Sequence, residues 1–370
     1  MLVSLTKRIR ALKMPPHVSG STRGCWRDYI SGGLGSYLVR RISVRRVTSA
    51  AAYAAVVLTG AAGMLPALAV AGATPKALFI ILDGIPADVI ERVSTPNLDA
   101  IAAVGAYARA QVGGPVGEPG ETPTVSAPGY MSLVTGTWAN KHNVYENYNL
   151  SPNYDYWNIF RVAKVIDPAV KIGIFSTWTD NRTVLLGEGK PNAGDWQFDY
   201  VADGFEEDAI RFPQQPLDAH IALIDNLVSQ EAARVIEQDG PDLSWIYLQY
   251  TDDIGHQYGD GDIFDGAVVD IDTHVGRIWS AVMTRQETHP EDWLIIVTTD
   301  HGRDAGTGRE HEGHSERERT TWMVTNSTRL LPRFKQMPEI VDIFPSIARH
   351  LGVTIPDNVA RHLDGLTFIQ

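Results

Sequence analysis

The sequence predicts an α/β fold with a mostly parallel central sheet flanked by helices. Three apolar runs, at 77–82, 243–250 and 293–299, have the length and composition of buried strands. Helix-like stretches separate them, which is the pattern of strand and crossover-helix units. With 370 residues and a hydrophobic fraction of 44%, the chain is long enough to form a sizeable core.

The first 73 residues differ in composition from the rest of the chain. Their charged residues are basic apart from Asp28, and an uncharged, alanine-rich segment at 47–73 follows. Such a segment, ending in small residues, is typical of a secretory signal. Because the basic region before it is long, two alternatives stay open: a cleaved signal peptide or an uncleaved N-terminal membrane anchor. Both predict an exported protein, periplasmic or extracellular, with its main domain at 74–370.

Charge and cysteine content exclude several function classes for this main domain. The whole chain has a net charge of −12, and the basic N-terminal segment leaves the remainder more acidic still. An acidic surface opposes non-specific binding to nucleic acid, and we find no nucleic-acid-binding signature. The lone cysteine, Cys25, precedes the main domain, so we expect neither a disulfide nor a thiolate nucleophile there.

Each of the three predicted strands is followed by potential metal ligands. Asp83 follows the first, Asp252 and His256 follow the second, and Asp300 and His301 follow the third. Open α/β sheets bind ligands beyond the carboxyl ends of their strands, and carboxylates and imidazoles bind divalent cations. Asp83 alone would be interpreted as a helix or turn cap. The combination predicts a metal site.

Ser126 is the candidate nucleophile. It follows a Gly/Pro-rich loop and precedes an apolar helical stretch, so its hydroxyl would lie at a helix N-terminus, where an anionic substrate is favoured. Coordination to a divalent cation lowers the pKa of a hydroxyl and creates a nucleophile without a histidine base. Without the other clusters, a helix cap would be the better interpretation.

From Lys76 to the C-terminus, these motifs resemble the alkaline phosphatase superfamily, and within it the type I phosphodiesterase/nucleotide pyrophosphatase-like branch. The resemblance rests on the segments PTVSAPGYMSLVTG, YTDDIGHQYG and LIIVTTDHG. It implies an alkaline-phosphatase-like core that holds two divalent metal ions, expected to be Zn²⁺. The implied ligands of one ion are Asp83, Ser126, Asp300 and His301, and those of the other are Asp252, His256 and a later histidine.

The resemblance also implies further site residues. His311, in a His-x-Gly turn, is the expected later histidine, with His314 as the alternative. Asn147 stands where some phosphatase branches have a phosphate-contacting asparagine, so it is the candidate for stabilising the oxyanion. Arg182 is a candidate phosphate contact. The predicted catalytic residues are therefore Ser126, Asn147 and Arg182.

Two departures from related sequences limit what the resemblance implies. Phosphodiesterase-like members usually have a threonine nucleophile with an asparagine three residues later, whereas this chain has Ser126 and Gly129. Sulfatases require an arginine where this chain has Tyr130, which argues against sulfatase chemistry.

The sequence thus predicts a metal-dependent hydrolase of phosphate esters that acts through a phosphoserine intermediate, with phosphodiester or pyrophosphate bonds favoured. The alternatives are a phosphomonoesterase or phosphonate hydrolase on the same scaffold, and a non-catalytic, metal-stabilised binding protein. The expected partner is a small-molecule phosphate ester. A small cap insertion at about 181–242, rich in Trp, Pro and acidic residues, is expected to select the leaving group.

Overall fold

The computed structural model of the protein describes residues 72–370. The basic N-terminal region, Cys25 and nearly all of the predicted signal or anchor segment lie outside the described residues. None of the helices in the described part of the chain is long and apolar enough to cross a membrane.

A single mixed sheet of seven strands forms the centre of residues 72–370, in the order β2-β7-β6-β1-β5-β3-β4. The strands are β1 (Thr74–Leu82), β2 (Ala106–Gln111), β3 (Ile172–Ser176), β4 (Tyr200–Ala202), β5 (Leu243–Leu248), β6 (Glu291–Thr298) and β7 (Thr320–Thr325). Neighbours pair in parallel from β6 through β1, β5 and β3 to β4, whereas β7 is antiparallel to β6 and β2. This confirms the predicted α/β fold with a mostly parallel central sheet.

Helices cover both faces of the sheet. They are α1 (Ala87–Arg92), α2 (Pro96–Val104), α3 (Ser126–Thr135), α4 (Ala139–His142), α5 (Ile159–Ile166), α6 (Ala219–Gln238), α7 (Tyr250–Tyr258), α8 (Asp262–Gln286), α9 (Glu316–Arg319), α10 (Ile343–Leu351) and α11 (Asp357–Ala360). Successive side chains of a strand point to opposite faces. In β1, Phe79 and Ile81 accordingly join the core beneath α3, α5 and α10, while Ile80 and Leu82 join the core beneath α2, α6 and α8.

The interval 181–242, suggested by the sequence as a cap, contains parts of this scaffold. Strand β4 forms one edge of the sheet, and α6 buries Ile224, Val228 and Ile236 in the core shared with α8. Strand β4 and helix α6 are therefore parts of the sheet and of its flanking layer, and a cap at about 181–242 stays a prediction.

Candidate active site

The register of the central strands brings the three polar clusters to one edge of the sheet. Leu82 pairs with Leu248 of β5, and Ile81 pairs with Thr298 of β6, so the residues that follow these strands lie side by side. The turn after β1 is joined to the end of β6, because the Gly84 N–H donates to Asp300 Oδ1 at 3.2 Å. The predicted edge is thus the place where potential ligands converge.

The first group of potential ligands consists of Asp83, Asp300 and His301. His301 Nε2 lies 3.4 Å from Asp83 Oδ1 and 3.4 Å from Asp300 Oδ2, and 3.3 Å from Ser126 Oγ. His301 Nδ1 lies 2.9 Å from the Gly302 carbonyl. That carbonyl can only accept, so the Nδ1 proton is donated to it, and Nε2 presents its lone pair to the two carboxylates and the serine.

This first group is fully buried, and its charges are poorly compensated by the surrounding protein. Asp83 Oδ1 and Asp300 Oδ2 are buried and have no hydrogen-bond partner. Burial, followed by the charges of Asp300 and Asp252, raises the pKa of Asp83. Burial and the charge of Asp252 bring the pKa of Asp300 to about 6. Burial lowers the pKa of His301 to about 4. Unpaired buried carboxylate oxygens that face an imidazole lone pair match the donor set of a divalent cation.

The second group consists of Asp252, His256 and His311. His256 Nε2 lies 3.3 Å from Asp252 Oδ2 and 3.1 Å from His311 Nε2. His311 Nδ1 lies 2.9 Å from the Thr124 carbonyl, so its proton is donated there and Nε2 again presents a lone pair. The structure therefore brings the six predicted protein ligands other than Ser126 together in two groups of three.

His311 joins the second group, whereas His314 does not. His314 Nδ1 lies 3.6 Å from Glu121 Oε1, outside either group. The loop that carries His311 is fixed by Asp304, whose carboxylate accepts the backbone N–H groups of Thr307, Arg309 and Glu310. These bonds fix the turn that precedes His311, and the Thr124 carbonyl accepts a hydrogen bond from the imidazole itself.

Arg303 is a site residue that the sequence reasoning missed. Its fully buried guanidinium pairs with Asp252 Oδ1 and donates 2.8 Å and 2.9 Å hydrogen bonds to the carbonyls of Asp252 and Gly84. Burial raises the pKa of Asp252, but Arg303 and His256 outweigh it, so that pKa lies below its ordinary value. The Cβ of an alanine at position 255 would lie 2.2 Å from Arg303 Cζ. Gly255 therefore makes room for this arginine.

Two tyrosines that the sequence reasoning also missed hold Asp83. The hydroxyls of Tyr130 and Tyr247 both donate to Asp83 Oδ2, the latter at 2.7 Å. Two of these residues had one signal in the sequence, their position at a recognised motif. Arg303 directly follows Asp300-His301-Gly302, and Tyr130 ends the segment SAPGY. Tyr247 looked like an ordinary strand residue, because alternation along a strand does not reveal which hydroxyl meets a carboxylate.

Ser126 lies at the first residue of α3, with Asn147 beside it. The Ala127 N–H donates to Asn147 Oδ1 at 2.8 Å, which fixes the carboxamide next to the serine and leaves its NH₂ group as the part that can reach an anion. Gly129, one turn along, packs against Asp300, and a Cβ there would lie 3.0 Å from Asp300 Cβ. A larger residue at position 129, such as the asparagine that the family resemblance would place there, would require Asp300 to shift by a few tenths of an ångström.

A cleft of about 250 Å³ opens in front of these residues. Among residues 72–370, its lining consists of Asp83, Ser126, Tyr130, Asn147, Trp178, Tyr247, Gln249 and Asp252, and includes no lysine or arginine. Arg182 is not brought to this cleft. Its guanidinium instead forms ion pairs of 2.6 Å with Asp203 and 2.5 Å with Glu188. The side chain that was expected to contact phosphate is therefore paired with two carboxylates.

Comparison with known families decides where the chain belongs. Residues 77–317 match the family described as Type I phosphodiesterase / nucleotide pyrophosphatase. The chain belongs to this family. The matched segment contains all six clustered residues as well as Ser126 and Asn147. The family match therefore covers the same part of the chain as the two groups of potential ligands.

Several solved structures have a similar fold. Murine ectonucleotide pyrophosphatase / phosphodiesterase 5 is 15% identical with a TM-score of 0.52, over 76% of this chain and 96% of that chain. The phosphonate monoester hydrolase of Agrobacterium radiobacter is 17% identical with a TM-score of 0.52, over 79% and 76%. BT1596, a 2-O GAG sulfatase, is 12% identical with a TM-score of 0.56, over 80% and 73%. At these identities the likeness concerns the fold alone. No curated protein matches the sequence.

Proposed function

We propose that this member of the phosphodiesterase family hydrolyses phosphodiester or pyrophosphate bonds, with Ser126 as the nucleophile. The observation that carries the proposal is the position of Ser126 Oγ. It lies at the N-terminus of α3, lines the cleft, and is 3.3 Å from His301 Nε2 in the first group of potential ligands. Family membership supports a phosphate ester as the substrate.

The two groups of residues would each hold one divalent metal ion, and we propose Zn²⁺ for both. Asp83, Asp300 and His301 with Ser126 would bind the first, and Asp252, His256 and His311 would bind the second. Mixed carboxylate and imidazole sets with three protein side chains are typical of zinc sites that keep a position for water or substrate. When bound, such cations lower the pKa of a coordinated hydroxyl and neutralise charge on the phosphoryl oxygens.

In the first step, Ser126 Oγ, after loss of its proton to solvent, attacks phosphorus in line with the leaving group. The bond from phosphorus to the leaving oxygen breaks, and its electron pair stays on that oxygen. Ser126 then carries the phosphoryl group, which retains its second ester group if the substrate is a diester. In the second step, water attacks the same phosphorus and loses a proton to solvent. The bond to Ser126 Oγ breaks with its electron pair on Oγ, which takes up a proton and regenerates the serine.

Asn147 and the N-terminus of α3 are proposed to hold a non-bridging phosphoryl oxygen. The Asn147 carboxamide is fixed beside Ser126 by its hydrogen bond with the Ala127 N–H, so its NH₂ group needs no reorganisation to donate to the oxygen. The unpaired N–H groups of the first helical turn and the helix dipole favour the same negative charge.

The charge of the cleft supports a diester in preference to a monoester. A phosphodiester carries one negative charge, whereas a monoester carries close to two at neutral pH. Since the lining contains no lysine or arginine, the cleft offers no further side-chain cation for the second charge. A structurally similar protein, an inactive variant of the murine ectonucleotide pyrophosphatase / phosphodiesterase 5, has been solved in complex with AMP, which supports an organic phosphate as the ligand.

The test is to compare kcat/KM of the zinc-loaded full-length protein on bis(p-nitrophenyl) phosphate and p-nitrophenyl phosphate. We expect a higher value for the diester and loss of turnover on both in Ser126→Ala. Ser280→Ala is the matched control, because the Ser280 hydroxyl bonds only the Gly276 carbonyl in its own helix, away from the cleft. A preference for the monoester would favour the phosphomonoesterase alternative. A purified protein without Ser126-dependent turnover would favour the non-catalytic binding protein.

A further inference from the structure

A buried carboxylate lies behind the cleft and contacts none of the proposed metal ligands. Asp225, on α6, is 1% exposed and accepts three hydrogen bonds. The donors are Thr177 Oγ1 at 2.5 Å and the backbone N–H groups of Gln249 at 3.1 Å and Tyr250 at 2.9 Å. Because Thr177 follows β3 and Gln249 follows β5, a single carboxylate joins the loops that leave two neighbouring strands.

Each of these two loops contributes one residue to the lining of the cleft. Trp178, directly after Thr177, and Gln249 both line it, whereas Asp225 does not. The Trp178 ring packs edge-on against Tyr130, with ring centroids 6.3 Å apart. Asp225 therefore bonds the hydroxyl of the residue before Trp178 and the backbone N–H of Gln249, without lining the cleft itself.

The properties of Asp225 match this connecting role better than simple space filling. An ionised carboxylate is an acceptor only, and its two oxygens meet three donors without a mismatch. Burial raises the pKa of Asp225 to about 6, so keeping a charge at this position opposes the ordinary preference for neutral groups in a core. A neutral carboxamide of the same size would avoid the cost of a buried charge, but its NH₂ group would face an N–H or O–H donor where the carboxylate oxygen accepts.

We propose that Asp225 is a positioning residue that sets the spacing between Trp178 and Gln249, and thereby determines how tightly the organic group of the phosphate ester is held. The inference rests on the proposed function, because it concerns the substrate of the same cleft. Asp225 takes part in no chemical step. Bond breaking belongs to Ser126, and Asp225 affects only the affinity for the ester.

Asp225→Asn tests this role, because the carboxamide keeps the shape of the side chain but turns one oxygen into a donor. We expect KM for bis(p-nitrophenyl) phosphate to rise about tenfold while kcat stays within about threefold, since the loss concerns binding shared by ground state and transition state. The zinc content should not change. The rise in KM should be smaller for methyl p-nitrophenyl phosphate, which offers one aromatic group fewer to the cleft walls.

Asp272→Asn is the matched control. Asp272 is also 1% exposed and also accepts three hydrogen bonds, from Asn97 N at 3.1 Å, Asn97 Nδ2 at 2.8 Å and Leu98 N at 2.9 Å. It joins α8 to the first turn of α2, and neither partner lines the cleft. We expect this variant to lower Tm without changing KM. An equal rise in KM in both variants would show a general loss of structure and overturn the proposal.

A second variant and a binding measurement cover the cases in which Asp225→Asn does not fold or the wild-type protein has no turnover. If Asp225→Asn does not fold, Thr177→Val removes one of the three donors without creating a mismatch, and KM should still rise; an unchanged KM would overturn the proposal. If the wild-type protein has no turnover, the proposed function fails by itself. The positioning role is then judged by equilibrium binding of bis(p-nitrophenyl) phosphate in the Ser126→Ala background. Unchanged affinity after Asp225→Asn would overturn it.

Discussion

The hydroxyl of Tyr247 donates a 2.7 Å hydrogen bond to Oδ2 of Asp83, which leaves Oδ1 as the oxygen that faces His301. Tyr130 donates to the same Oδ2. Two phenols thus fix the rotation of one buried carboxylate and determine which oxygen is free. Groups that orient a metal ligand in this way commonly change metal affinity when they are removed.

We therefore predict that Tyr247→Phe weakens zinc binding by about tenfold or more, a typical effect of losing a group that orients a ligand. The ring still packs in the core, so the change in Tm of the metal-free protein should be small. Competition with a chromogenic chelator measures the affinity. Wild-type affinity in the variant would mean that Tyr130 alone orients Asp83.

A second prediction concerns Arg303, which pairs with Asp252 and lies against Gly255. Arg303→Lys should reduce zinc affinity by about ten- to a hundredfold, because an ammonium cannot reproduce the several directed bonds of a guanidinium. Arg319→Lys is the control, since this buried arginine donates to the carbonyls of Gly113 and Gly114 and does not contact Asp252. Equal losses of affinity in both variants would contradict a specific role for Arg303.

Removal of metal should destabilise the protein. Burial, followed by the charges of Asp300 and Asp252, raises the pKa of Asp83, and burial with the charge of Asp252 raises the pKa of Asp300, so a bound cation would relieve an unfavourable arrangement. A ligand that binds only the folded state at a hundred times its Kd stabilises it by about 2.7 kcal/mol. Chelation should therefore lower Tm, and zinc should restore it, in a calorimetric experiment. A Tm that is insensitive to chelation would contradict the metal assignment.

A fourth prediction uses His142, which is fully buried and contacts neither group of potential ligands. Its Nδ1 accepts the Val144 N–H at 3.2 Å, and burial lowers its pKa to about 3. The unfolded chain binds the proton more readily, so the contribution of His142 to stability is present above pH 6.5 and is lost as the pH falls toward 3. At about 1.4 kcal/mol per pKa unit, the loss is about 2 kcal/mol between pH 6.5 and 5.

His142→Gln should remove that part of the pH dependence. The measurement is the free energy of unfolding of both proteins in denaturant at pH 6.5 and at pH 5, and the wild type should lose about 2 kcal/mol more than the variant. The other buried histidines contribute equally to both proteins and cancel in the difference. Parallel pH profiles would show that His142 is not held neutral.

The sequence was sufficient to predict the features of the site that depend on where the strands end. Apolar runs that stop at Asp83, Asp252 and Asp300 predict that these residues meet at one edge of a parallel sheet, and the register confirms that placement. His311 could be preferred over His314 only through the family resemblance. The export of the protein remains a proposal from residues 1–73, nearly all of which lie outside the described residues.

The remaining features depend on tertiary contacts that no local pattern encodes. The family resemblance made Arg182 a candidate phosphate contact, but its guanidinium forms ion pairs with Asp203 and Glu188. No sequence pattern indicates these two ion pairs. The position of α6 against the sheet, and with it the role of Asp225, likewise depends on packing over long sequence separations.

The most direct test of the central claim is to identify the covalent intermediate. The zinc-loaded protein would be mixed with bis(p-nitrophenyl) phosphate, quenched in acid within the first turnover and mapped by peptide mass spectrometry, with Ser126→Ala treated in parallel. We expect a phosphoryl ester adduct on the peptide that contains Ser126, absent from the variant. A Ser126→Ala protein that turns over substrate at the wild-type rate, with no adduct in either protein, would contradict it.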